Sequence, residues 1–177
     1  MNALGPDNAF WIDGEWCAWD SIVDPDEVTH SRLEELEREA ELRFRYPRAD
    51  LTLVPYFNDL LLLAKSYFHD TGRHLNVYGD IGELFGALHY GIKLHRNYAQ
   101  GSDGKLGNEF VEIKTLSPAR NDDQASVRLE NRHFSKLLVV RILPDFSVSG
   151  RMIDRCDLPR RGGKALRIRW SNMPPSP

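Results

Sequence analysis

The sequence predicts an α/β domain, on three observations. Two segments, Phe110–Leu116 and Lys136–Leu143, are short, apolar and rich in β-branched residues, as buried strands are. Two others, Val54–Thr71 and Asp80–Tyr90, repeat apolar residues at helical spacing. The 177 residues suit one domain with an appended element, and no internal repeat or linker composition interrupts them.

The elements follow in order. Phe10–Trp19 is aromatic and holds Asp13-Gly14, a hairpin turn signal. Its Trp11, Trp16 and Trp19 are expected to close a small core or cap the sheet; the alternative is stacking on bases. Asp24-Pro25-Asp26 is a turn, and Thr29 or Ser31 caps a helix over His30–Phe44, with Glu34 in capping-box register to Ser31. That helix is densely charged, with Leu33, Leu36, Ala40 and Phe44 as a narrow apolar stripe, so it reads as a solvated helix. In Val54–Thr71 the stripe is Phe57, Leu60, Leu61, Ala64, Tyr67 and Phe68, and Gly72 ends the helix. In Asp80–Tyr90 it is Ile81, Leu84, Phe85 and Leu88. Gly79, Gly82 and Gly86 weaken this helix and imply close approach to another backbone. Glu83 lies at the stripe's edge, where it is expected to reach the sheet face that bears Glu112.

Past the Phe110–Leu116 strand, Ser117–Gln124 reads as a mobile loop and Val127–Phe134 as a short helix. Lys136–Leu143 is a buried strand, Pro144-Asp145 a turn, and Ser147–Ile153 and Ala165–Trp170 further strands flanking a basic loop, Arg160–Lys164. The expected organisation is residues 1–50 as a hairpin and charged helix packed on the core, 51–172 as the core, and 173–177 as a disordered tail.

The net charge of −3 hides an uneven distribution. Residues 1–90 carry −10, residues 91–127 are balanced, and residues 128–169 carry +7. A basic half is the footprint of a phosphate backbone, or else the internal balance of the acidic half. No apolar run approaches the roughly 18 residues of a membrane span, and the N-terminus lacks a signal-peptide pattern. Cys17 and Cys156 form no CxxC pair, so reduced thiols in a cytoplasmic protein are expected.

Strand alternation puts Glu112 and Lys114 on one face and Val111, Ile113 and Thr115 on the other. A buried unpaired charge costs several kcal/mol, so two charges inside an apolar strand need a partner or a purpose. Carboxylates are hard oxygen ligands suited to Mg²⁺, with Mn²⁺ as a substitute. Asp103 and Glu112 would hold the ion, with the backbone carbonyl of Ile113 as a third ligand. Lys114 would polarise the attacking water or stabilise charge on phosphorus, and Glu83 would bind a second metal or position a water.

Asp103, then eight residues, then Glu112-x-Lys114 on a strand resembles the PD-(D/E)xK nuclease superfamily. The helix bearing Glu83 and the strand Lys136–Leu143 extend the likeness over about Gly79–Ile153, with Ser102 where the motif has proline. The resemblance implies a restriction-endonuclease-like core, a mixed β-sheet flanked by helices. It also implies Mg²⁺-dependent hydrolysis of DNA by Asp103, Glu112, Lys114 and Glu83. Arg128, Arg132, Lys136, Arg160, Arg161 and Lys164 are the candidate nucleic-acid contacts. DNA is the expected partner. A homodimer, and a basic protein docking on the acidic N-terminal half, are compatible additions; a membrane is not expected.

Two rivals stand beside this reading. One is a non-catalytic nucleic-acid-binding or protein-interaction module on the same fold; the other is a purely structural Glu112–Lys114 ion pair. The six histidines make no HExxH spacing for zinc, and Gly101–Lys105 is not a phosphate loop.

Overall fold

The computed structural model describes residues 9–12, 15–18, 25–96, 101–120, 123–128, 133–159 and 165–175, with side chains from residue 32 onward. The chain divides into two compact units, Met1–Phe44 and Arg45–Pro177. In the first, β1 (Ala9–Ile12) and β2 (Glu15–Ala18) pair antiparallel with Ile12 opposite Glu15. This pairing is the expected hairpin, and its Asp13-Gly14 turn lies outside the described residues. The side chains of Trp11 and Trp16, and all of Trp19, lie outside the described residues. Helix α1 (Pro25–Arg45) begins five residues before its expected start. A proline is tolerated in the first turn of a helix, so Pro25 does not bar that start.

In the second unit, Asp50 accepts the Thr52 N–H at 3.0 Å and opens a short 3-10 turn, Leu51–Leu53, that leads into α2 (Val54–Thr71). Helix α3 (Tyr78–Tyr90) follows. Gly72 and Gly91 close α2 and α3 with φ of 66° and 71°, a conformation glycine adopts without steric cost. The strands are β3 (Lys93–Leu94), β4 (Gly104–Leu106), β5 (Glu109–Leu116), β6 (Gln124–Arg128), β7 (Lys136–Ile142), β8 (Val148–Asp154) and β9 (Ala165–Arg169). They form a mixed five-stranded sheet in the order β3-β4-β5-β7-β8, with β5 and β7 parallel and the other pairs antiparallel, and a separate antiparallel ribbon of β6 and β9.

Helices cover one face of the sheet. Gly82 of α3 lies against Thr115, and Gly86 against Ile113 and Leu138, so the glycines let the helix sink onto β5 and β7. Helix α2 packs behind it, with Phe57 and Phe85 ring centroids 6.3 Å apart. A Cβ at Gly86 would sit 2.9 Å from Leu138 Cδ2 and 3.1 Å from Ile113 Cδ1. Overpacking of that kind costs about 1–3 kcal/mol, against a helix-propensity gain of roughly 1 kcal/mol. Gly86→Ala is therefore expected to lower the urea midpoint; an unchanged or raised midpoint would contradict this packing.

The ribbon covers the opposite face. Ala125, Val127, Leu166 and Ile168 turn inward onto Leu116, Leu137 and Val139, and Phe134, Leu158, Trp170 and Met173 complete the cluster, so the expected disordered tail is wrong at Met173, whose apolar side chain is buried. The expected helix over Val127–Phe134 is wrong at its described start, because Val127 and Arg128 end strand β6. The alternation of Gln124, Ser126 and Arg128 with Ala125 and Val127 is a period-2 signal that loop-like flanks concealed. Among the described residues, no helix is long and apolar enough to cross a membrane.

Candidate metal centre

Strand β5 is central, and its partner β4 follows it only as far as Gly104 opposite Val111. There the Asp103 N–H donates to Val111 O at 3.0 Å. One step further, the Asp103 carboxylate, not a backbone carbonyl, accepts the Ile113 N–H, at 2.6 Å. A side chain thus replaces a ladder partner, and the edge of β5 opens beside Ile113 and Lys114. Ser102, standing where the motif has proline, is 3% exposed. Its Oγ is 3.3 Å from His95 Nδ1, and the His95 N–H donates to Asp103 O at 3.0 Å, so this turn is tied down from its flank.

Glu112 is 1% exposed. It survives there because Lys114 Nζ lies 2.6 Å from Glu112 Oε1. The same ammonium donates to Ile113 O at 3.0 Å and lies 4.0 Å from Asp103 Oδ2. One cation therefore sits among three oxygens, those of Glu112, Ile113 and Asp103. They are the three that the sequence nominates for a metal ion. The donor set is all oxygen, with two formal negative charges, which is the chemistry a hard divalent ion requires.

Glu83, Asp103 and Lys114 line a cleft of about 540 Å³, with His74, Tyr78, Thr115, Ser117 and Arg120 among its other walls. The Glu83 carboxyl is held above the usual carboxylate range, by burial first and then by the charges of Asp103, Asp80 and Glu112; Lys114 opposes them. Glu83 does not approach from the face that bears Glu112. Helix α3 packs on the Ile113 and Thr115 face, and Glu83 meets Asp103 and Lys114, but not the buried Glu112, in the cleft at the open edge of β5.

A carboxyl raised in the folded state keeps its proton to higher pH than in the unfolded chain. Its contribution to stability is full below the unfolded pKa of about 4.3 and is lost as pH rises through the folded value. Glu83→Gln, permanently neutral, is expected to raise Tm near about pH 7 and to change it little near about pH 4 in metal-free buffer. An equal shift at both pH values in thermal melts would contradict that cause.

Arg128 is exposed on β6. The Lys136 ammonium is held by Asp154 at 2.5 Å and by Glu109 at 3.3 Å, and these hydrogen bonds, Asp154's above all, raise its pKa. Arg132, Arg160, Arg161 and Lys164 lie outside the described residues. Ser117 and Arg120, at the start of the expected mobile loop, also line the cleft of Glu83, Asp103 and Lys114. Ser-Pro-Ala-Arg is a turn sequence with proline second, and the turn is closed by the Arg120 N–H donating to Ser117 O at 3.2 Å.

Elsewhere, Asp154, Cys156 and Asp157 bring ligand atoms within 4.8 Å of one another, all exposed. They are the one such cluster of three among the described residues, so Glu83, Asp103 and Glu112 do not converge as tightly. A second cleft of about 510 Å³, between Arg48, Phe85, His89, Tyr90 and Gly150, has no carboxylate in its walls. No protein-family model matches the chain, and no curated protein does.

Proposed function

We propose that this protein is a metal-dependent nuclease that hydrolyses DNA phosphodiester bonds, built on a restriction-endonuclease-like variant of its mixed sheet. The seat of the Lys114 ammonium among Glu112 Oε1, Ile113 O and Asp103 Oδ2 carries the reading. Asp103, Glu112 and the Ile113 carbonyl would hold Mg²⁺. The ion would supply charge neutralisation at the scissile phosphate and a more acidic water. Lys114 already lines the cleft, so its ammonium can turn from the three oxygens to a phosphate oxygen. Glu83, desolvated on the same wall, is suited to accept a proton from the attacking water. Cys156 is free and exposed, in keeping with the reducing, cytoplasmic setting proposed here.

The test is nicking of supercoiled plasmid and of single-stranded DNA in Mg²⁺. Wild-type protein is expected to cut and Lys114→Ala to lose cutting. Equal behaviour of the two on every substrate rejects the assignment. A second reading, the structural ion pair, is favoured by the Glu112–Lys114 contact itself, which satisfies both charges without a metal. Absence of any Mn²⁺ binding would select it.

A further inference from the structure

We propose that the outer face of the β6–β9 ribbon docks on the phosphate backbone of double-stranded DNA and leads it to the β5 cleft. This deepens the nuclease reading and rests on it. Both strands alternate strictly, with Ala125, Val127, Leu166 and Ile168 turned inward. Ser126, Arg128, Arg167 and Arg169 are exposed. The register sets Gln124 opposite Arg169 and Ser126 opposite Arg167, so three arginines share one outward face. Neither strand contains an acidic residue. Among the described residues, none of these three arginines has a carboxylate within salt-bridge distance, unlike Lys136 between Asp154 and Glu109. Five residues at roughly 3.3 Å each make a cationic strip about 13 Å from first to last Cα, enough to span neighbouring phosphates.

The strip leads toward the site. Next to Arg169, the Trp170 N–H donates to Asp123 O at 2.8 Å. The Arg141 guanidinium lies 5.9 Å from the Trp170 ring and 3.7 Å from Asp123 Oδ1. Arg141 and Asp123 line a cleft of about 380 Å³ together with Ser117 and Arg120. Ser117 and Arg120 also line the cleft of Glu83, Asp103 and Lys114, so the two clefts share a wall. Arg141 pairs with Leu116, two residues beyond Lys114 and at the same end of the parallel strands. Arginines therefore recur from Arg128 to the β5 edge, with the Asp123 carboxylate among them. The outward face lacks the aromatic and large apolar anchors of a protein hot spot or a membrane-inserting surface, which leaves a polyanion as its partner.

The test is fluorescence anisotropy of a labelled 20-bp duplex in EDTA, titrated with salt, for wild type, R128Q/R167Q/R169Q and R128K/R167K/R169K. Each lost phosphate contact is expected to reduce the slope of log K against log salt by roughly 0.9, so the glutamine variant falls by about 2–3. Its affinity at low salt should fall at least ~10-fold. The lysine variant should keep the wild-type slope. Wild type that binds no duplex, or a glutamine variant with unchanged slope and affinity, overturns the proposal. So does equal binding to anionic phospholipid vesicles with the same dependence on the three arginines. Docking without any Mg²⁺-dependent cutting would sink the nuclease reading and leave the docking face standing. Cutting with an unaffected glutamine variant would do the reverse.

Discussion

Lys114→Met is expected to destabilise the metal-free protein by about 3 kcal/mol, and Mn²⁺ is expected to restore most of that loss. Removing one partner of a buried ion pair leaves the other charge desolvated, at roughly 3–5 kcal/mol. Glu112 is that charge, 1% exposed and 2.6 Å from the ammonium. The Lys114 side chain is 30% exposed, which moves the expected cost to the lower end of the range. A divalent ion replacing the ammonium would bind the folded state alone and stabilise it by mass action. Urea unfolding of both proteins, with and without Mn²⁺, reads this out. The variant should gain more from Mn²⁺ than wild type does, because wild type must first give up its own cation. A variant that is destabilised yet indifferent to Mn²⁺ would mark a structural pair.

Glu112→Gln is expected to lower Mg²⁺-dependent DNA cutting by about 10²–10³-fold, the usual cost of removing one group that stabilises transition-state charge. Its effect on folding should be smaller than that of Lys114→Met. Glutamine keeps the shape and an oxygen acceptor for the Lys114 ammonium, and it leaves no buried carboxylate behind. The pair of variants thus separates chemistry from stability. Lys114→Met harms both, whereas Glu112→Gln harms cutting and spares the fold. Initial rates of plasmid nicking beside urea midpoints measure the two together. Cutting at the wild-type rate by Glu112→Gln would remove this carboxylate from the mechanism.

The long periodic elements were legible in the sequence. Helix α2 spans its expected Val54–Thr71, and the strands at Lys136, Ser147 and Ala165 differ from expectation only at their ends. Of the three glycines expected to approach the sheet closely, Gly82 and Gly86 do so, whereas a Cβ at Gly79 would meet nothing within 4 Å. Strands β3 and β4 were missed, since two or three residues such as Lys93–Leu94 and Gly104–Leu106 carry no measurable period. Strand β6 was missed because its inward residues are only Ala125 and Val127.

In the candidate site, the pairing of Glu112 with Lys114 follows from strand alternation alone. The position of Asp103 does not. It depends on β4 joining β5 only from Gly104 onward, so that Asp103 lies just outside the ladder, a long-range event that no local pattern encodes. Glu83 was placed on the correct helix and the wrong face, because sequence periodicity shows which residues share a stripe but not which side of a sheet the stripe will cover. Arg167 and Arg169 became legible as a surface only when their antiparallel pairing with β6 put them beside Arg128.

Calorimetric titration of Mn²⁺ into wild-type, Asp103→Asn and Lys114→Met protein tests most directly whether the three oxygens around the Lys114 ammonium form a divalent-cation site. Wild type is expected to bind Mn²⁺, Asp103→Asn to bind it at least ~10-fold more weakly, and Lys114→Met to bind it more tightly than wild type. Absence of binding in wild type, or binding that none of these substitutions alters, would contradict a metal centre at this edge of β5.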